Sequence, residues 1–279
     1  MAIYPDKLII LDYSGTLSPE APLFAGPDSL LDELAASGLQ DFGIDSPHVF
    51  WEKLVNPTWP VGSTTSAGYK KVLTDRIIAA LHPDMSMPRR AALARAVSTF
   101  VDHYLGRSRI DPLWKPVLHK ISGASSVMTV IATDHYAEAT GAIIHFLGKW
   151  KITATGATEN ASPSHHASFI VANSADIGFH KADPRFWQAL KTGLRLHVFR
   201  DILMIDDFGC NEQEADDYCR QDHVQERIKT TITTLATVFS AAIEVFPFMI
   251  ETDIRERRVR LENLFEEMTG VIDRFLTSC

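Results

Sequence analysis

The chain has few cysteines, no excess of basic residues and no long apolar run. Its three cysteines are an odd number without CxxC spacing, so they predict reduced thiols and neither a disulfide framework nor a zinc site. A net charge of -8 and a pI near 5.7 argue against nucleic acid as a partner. Because no window reads as a membrane span or a signal peptide, we expect a cytoplasmic protein without a membrane partner.

Short apolar or β-branched runs are present instead, and most are separated by helical stretches. They lie at 8–11, 127–132, 168–172, 202–205 and 241–246. This alternation predicts an α/β fold, a doubly wound parallel sheet with helices on both faces. Since far more than one crossover helix separates the first two runs, we expect residues 1–17 and 122–279 to form the α/β core and residues 18–121 to form an inserted helical cap.

Polar side chains follow four of these predicted strands. Asp12 follows the first, Thr133 the second, Lys181 the third, and the pair Asp206 and Asp207 the fourth. Because the carboxyl ends of parallel strands meet at one edge of a sheet, these groups are predicted to converge. A carboxylate nucleophile, a hydroxyl, a cation and an acidic pair able to hold Mg²⁺ are the groups that phosphoryl transfer requires.

The same four stretches resemble the motifs of the haloacid dehalogenase (HAD) superfamily. They read "DYSGTL", "IATDH", "SADIGFHKADPRFW" and "IDDFGCNEQEA". The resemblance implies a Rossmann-like HAD core and a hydrolase whose nucleophile is Asp12. It also implies that Mg²⁺ is held by Asp12, the carbonyl of Ser14 and Asp207, together with Asp206.

The resemblance assigns Thr133 and Lys181 to the oxygens of the transferred phosphoryl group. It therefore predicts a Mg-dependent phosphatase, in which a small phosphorylated metabolite forms an aspartyl-phosphate on Asp12. His135, just beyond Thr133, either faces this substrate or points to solvent from the first turn of a helix.

Ser14 departs from the family pattern. Phosphatases of the family carry an acid/base Asp at this position, and a serine hydroxyl cannot titrate near neutral pH. The alternatives are therefore a phosphonate or carbon-halogen hydrolase of the same superfamily, or a non-catalytic phosphate-binding protein. A phosphonate hydrolase would need a cap lysine, for which Lys53, Lys70 and Lys71 are candidates by position.

Two further segments have two interpretations each. The small, hydroxyl-rich stretch 62–71 is either an anion-binding nest at the active site or an ordinary capped helix start. The segment 253–276 has apolar residues at helical spacing. Its helix is expected to cover the sheet edge, with a homodimer contact as the alternative.

Overall fold

A computed structural model of the chain describes residues 5–158, 169–193, 199–212, 224–250 and 257–278. Within these ranges, no helix is both long and apolar enough to cross a lipid bilayer. Cys210 is a free cysteine, and the other two cysteines, Cys219 and Cys279, lie outside the described residues.

Six parallel strands form one sheet, in the order β3-β4-β2-β1-β5-β6. Their bounds are β1 Lys7–Leu11, β2 Val127–Thr133, β3 Ala154–Gly156, β4 Phe169–Asn173, β5 Asp201–Asp206 and β6 Ala242–Pro247. The parallel sheet confirms the predicted α/β class, with a Rossmann-like arrangement of parallel strands. The structure adds one strand to the five predicted, the short edge strand β3.

Both faces of the sheet are covered, which explains why its inner strands are apolar at successive positions. Ile9 and Leu11 of β1 belong to one hydrophobic cluster, and Leu8 and Ile10 belong to the cluster on the opposite face. All four of these side chains are fully buried.

Helices of the core pack on these two faces. They are α6 Trp114–Ser122, α7 Glu138–Lys149, α8 Ser174–Ile177, α9 Pro184–Gly193, α10 Val224–Phe239 and α11 Arg257–Thr277. The apolar stripe of α11, which includes Phe265 and Ile272, joins the cluster of α6 and α7. That stripe is therefore buried inside the chain, and the homodimer contact stays a prediction.

A second hydrophobic core lies in the helices between β1 and α6. These helices are α1 Ala21–Phe24, α2 Pro27–Ser37, a 3-10 turn Leu39–Phe42, a π-helix Val49–Val55, α3 Asn56–Gly62, α4 Tyr69–Leu81 and α5 Met87–Arg107. We call this group of helices the lobe. Its helical character was predicted, and the exact domain limits at residues 17 and 121 stay a prediction.

The chain enters and leaves the lobe at one place. The backbone N–H of Asp111 donates to the carbonyl of Leu17 over 2.9 Å, which joins the two connecting segments. The buried Tyr13 hydroxyl donates to the carbonyl of Ser108, at the end of α5. Tyr13, the residue after Asp12, is thus hydrogen-bonded directly to the C-terminal end of the lobe helix α5.

Candidate active site

Three carboxylates and one ammonium group meet at the carboxyl edge of the sheet. Asp12 follows β1, Asp206 ends β5, and Asp207 is the next residue. Lys181 Nζ donates to Asp12 Oδ1 over 2.5 Å and to Asp206 Oδ2 over 2.8 Å. All four side chains are buried. The sheet thus brings these predicted site residues together in a cleft that holds little water.

Lys181 is held in place by hydrogen bonds at both ends of its backbone. Its N–H donates to Asp134 Oδ1 over 2.9 Å, and its carbonyl accepts from Trp187 Nε1 over 2.8 Å. Asp134 follows Thr133 at the end of β2, and Trp187 lies on α9. The backbone of Lys181 is therefore fixed by the residue after β2 and by α9, and this holds the base of the side chain in place.

The Asp207 carboxylate lies against the loop that follows β1, which we call the first loop. Its oxygens accept the backbone N–H groups of Gly209 over 3.1 Å and Asn211 over 2.9 Å. Gly15 has a φ of +75°, and a Cβ built there would lie 2.8 Å from Asp207 Cγ. Only glycine therefore fits at this position without displacing the carboxylate.

Asn211 is a structural link. Its Nδ2 donates to the carbonyls of Gly15 and Phe248, and its Oδ1 accepts from the N–H of Ile250. In the structure its side chain joins the first loop to the segment after β6.

The three carboxylates fit a divalent cation by their chemistry. Asp12, Asp206 and Asp207 each offer an oxygen, and these atoms lie within 4.8 Å of one another. Lys181 balances one of the three charges, so the ionised cluster has an excess of negative charge in a desolvated site. Carboxylate oxygens are the ligands that Mg²⁺ prefers.

The pKa values of the carboxyls reflect this crowding. Burial raises the pKa of Asp12 to about 7, with Lys181 lowering it and Asp206 raising it. Burial raises the pKa of Asp207 well above its ordinary value, and the charges of Asp12, Glu212 and Asp206 raise it further. The cluster therefore gains from positive charge placed among its oxygens.

Ser14 lies beside a carboxylate that the sequence did not identify as part of the site. Its Oγ donates to Glu212 Oε1 over 2.5 Å. Both residues border the same cavity as Asp12. A carboxylate from the loop after β5 thus contacts the side chain at the position where the family's phosphatases carry Asp.

Thr133 and His135 also line this cavity, and both are buried. His135 Nδ1 accepts the N–H of Tyr136 over 2.9 Å, and its Nε2 lies 2.7 Å from Tyr104 Oη. Burial lowers the pKa of His135 to about 4, so the ring is neutral near pH 7. Its hydrogen is then on Nε2 and is donated to Tyr104, which belongs to the lobe helix α5.

The lobe is fastened over the site through the segment 62–71. Ser174 Oγ in the core donates to the carbonyl of Ser63 over 2.6 Å, and Ser63 Oγ lies 2.7 Å from His180 Nε2. The Glu138 carboxylate accepts the N–H groups of Tyr69 over 2.7 Å and Lys70 over 3.2 Å. The N-terminus of α4 is therefore capped by the carboxylate of Glu138, the first residue of the core helix α7.

The lobe lysines lie elsewhere. Lys53 is exposed, Lys70 pairs with Asp102, and Lys71 pairs with Asp75. Among the described residues that line the cavity, Lys181 is the lysine present. The structure thus gives the phosphonate alternative no lobe lysine at the site.

Three residues of the site were missed by the sequence reasoning. Asp134 had a signal, because it adjoins Thr133 at a strand end. Glu212 and Tyr104 had none, since their contacts join segments 198 and 31 positions apart in the chain.

Comparison with known proteins gives several similar solved structures, including the following two. A 2-haloacid dehalogenase from Pseudomonas syringae pv. Tomato DC3000 is 17% identical, with a TM-score of 0.47, 79% of this chain covered and 83% of that chain. A phosphonoacetaldehyde hydrolase like protein from Oleispira antarctica is 11% identical, with a TM-score of 0.39, 95% of this chain covered and 96% of that chain. No protein-family model and no curated protein matches the sequence.

The contact between Gly15 and Asp207 leads to a prediction. Gly15→Ala is expected to destabilise the protein by more than about 1 kcal/mol, because the new Cβ meets a carboxylate at positive φ. Gly141→Ala is the matched control, since Gly141 is an exposed residue of α7 with open space around it. Urea unfolding measures both variants, and equal stability of the two would contradict the contact.

The buried His135 leads to a prediction on pH. Its pKa is about 4 in the folded protein against 6.5 for an unperturbed histidine, so between these values the unfolded chain binds a proton that the folded chain does not. The stability that His135 contributes above pH 6.5 is therefore lost as the pH falls towards 4, by up to roughly 3 kcal/mol, whereas the raised pKa values of Asp12 and Asp207 act in the opposite direction. His135→Gln should remove the His135 contribution, so that its unfolding free energy in urea rises relative to the wild type as the pH falls, whereas the exposed-site control His145→Gln should follow the wild type. A wild-type slope in His135→Gln would refute the assignment.

Proposed function

We propose that this protein is a HAD-type hydrolase and that its reaction is the hydrolysis of a phosphomonoester through an aspartyl-phosphate on Asp12. The observation that carries the proposal is the buried cluster of Asp12, Asp206 and Asp207 around Lys181. An acid excess of this kind suits a bound cation and a phosphoryl group, whereas displacement of halide from carbon needs no metal-binding acids.

In the first step, an Asp12 oxygen forms a bond to phosphorus as the ester P–O bond breaks, and the leaving group keeps the electron pair of that bond. In this proposal the Lys181 ammonium, which lies beside Asp12, neutralises charge on the phosphoryl oxygens, and the Thr133 hydroxyl at the end of β2 donates a hydrogen bond to one of them. The lobe excludes bulk water during this step.

In the second step, a water oxygen attacks phosphorus, the bond to Asp12 breaks, and inorganic phosphate carries the proton away. Ser14 supplies no titrating group near pH 7, so the enzyme favours leaving groups that depart without a proton. Aryl and acyl phosphates have such leaving groups.

Mg²⁺ would be held by Asp12, Asp206 and Asp207, with the Ser14 carbonyl as a further ligand. When bound, it would supply positive charge to the phosphoryl oxygens and lower the raised pKa values of Asp12 and Asp207. The substrate is a small molecule, since the lobe encloses the site.

Asp12→Asn tests the nucleophile. We expect turnover of an aryl phosphate to fall at least about 1,000-fold, because the amide is not a nucleophile while the side-chain volume hardly changes. Asp75→Asn, on the lobe surface, is the control and should keep wild-type activity. Steady-state rates are read beside circular dichroism, and a folded Asp12→Asn variant with more than a few per cent of wild-type activity would sink the assignment.

Magnesium binding is tested separately, by thermal unfolding. A ligand at 100 times its Kd stabilises the folded state by about 2.7 kcal/mol, so millimolar Mg²⁺ should raise the Tm of the wild type. Asp207→Asn should reduce this rise, because it removes one carboxylate of the cluster. An unchanged Tm, together with hydrolysis of haloacids and not of phosphate esters in the absence of Mg²⁺, would favour carbon-halogen chemistry instead.

A further inference from the structure

The cavity beside Asp12 continues into the lobe, where its wall is mostly apolar. Side chains of the π-helix and of α1 and α5 form this wall, and we call them the apolar wall. They are Phe24, Phe50, Trp51, Val55 and Phe100. Each is buried, with an exposed fraction of 7% or less.

Four aromatic rings of the apolar wall touch in sequence. The ring centroids of Trp51 and Phe50, of Phe50 and Phe100, and of Phe100 and Phe24 are each 5.4 Å apart. Tyr104 continues the row, 5.3 Å from Phe24. Because each ring is held by the next, the wall has its shape before any ligand binds.

Charge is confined to the other end of the cavity. Of the described residues that line it, those with charged side chains all belong to the core: Asp12, Asp134, Lys181, Asp206, Asp207 and Glu212. A sugar or a second phosphate placed in the lobe would face mostly carbon atoms, because the polar side-chain groups of the lobe lining are the indole N–H groups of Trp51 and Trp59 and the hydroxyls of Tyr69 and Tyr104. Burying such polar groups without hydrogen bonds is costly, so this wall selects against them.

We infer that the substrate is the phosphate monoester of a small apolar group, of the size of one aromatic ring, which packs on the apolar wall. The inference rests on the proposed function and deepens it. It also agrees with Ser14, because a phenolic oxygen leaves as an anion and needs no proton. The apolar wall and Ser14 therefore both favour an aryl phosphate as the substrate.

The first experiment measures binding without turnover. Phenylphosphonate, methylphosphonate, 2,3-dihydroxypropylphosphonate and inorganic phosphate are titrated into the wild-type protein by calorimetry in millimolar Mg²⁺. Phenylphosphonate should bind about 10 to 100 times more tightly than methylphosphonate, because its ring is removed from water. The dihydroxypropyl compound should bind no more tightly than methylphosphonate.

The second experiment alters the apolar wall without changing its volume. Val55→Thr places a hydroxyl in the wall and should weaken phenylphosphonate binding about tenfold, with phosphate binding unchanged. Val97→Thr is the matched control, because Val97 is buried in the same lobe core and does not line the cavity. It should bind phenylphosphonate as the wild type does.

Two results distinguish an error in the substrate class from an error in the phosphoryl site. If phosphate and methylphosphonate bind as tightly as phenylphosphonate, the apolar substrate is wrong and the phosphoryl site stands. If none of the four compounds binds, the proposed phosphatase site is wrong and the substrate class falls with it. Equal losses in Val55→Thr and Val97→Thr would likewise overturn the role of the wall.

Discussion

Negative charge buried at the end of β1 and β5 is the constraint on which the site depends. A carboxylate loses much of its hydration in such a place, and repulsion between neighbouring carboxylates adds to the cost. Hydrogen bonds from fixed donors offset part of this cost. Lys181 donates to Asp12 and Asp206, and backbone N–H groups donate to Asp207. The pKa of Asp207 is nevertheless raised. A further positive charge would therefore stabilise the ionised cluster.

The lobe increases the strength of these electrostatic interactions. By covering the cleft it lowers the local dielectric, so that charges act on one another more strongly than they would in water. Contacts outside the reaction centre hold this cover in place, including Ser63 against Ser174 and His180, and Glu138 against the start of α4. The same closure brings the aromatic rings of the apolar wall to the cavity. One packing arrangement therefore covers the charged cluster and also shapes the apolar wall of the cavity.

Much of the core could be predicted because its signals are local. A buried parallel strand is apolar at successive positions, as at residues 8–11 of β1, and the residue that follows it lies at the ligand-binding edge. β3 escaped notice because three residues, Ala154–Gly156, carry no such run. Glu212 and Tyr104 escaped because hydrogen bonds between distant segments leave no local pattern. Segment 62–71 was ambiguous for the same reason, since its cap, Glu138, comes from another helix.

The joined connections of the lobe bear on how such a protein can diversify. Because Asp111 is bonded to Leu17, the ends of the insertion meet, and the sheet beneath needs no rearrangement to accommodate it. Closing a long loop costs only slightly more than closing a short one, so insertions of different length are tolerated at such a junction. Mutation and recombination can then exchange the lobe as a unit. The carboxylate cluster stays with the sheet, and the residues that the lobe contributes to the cavity are free to change on their own.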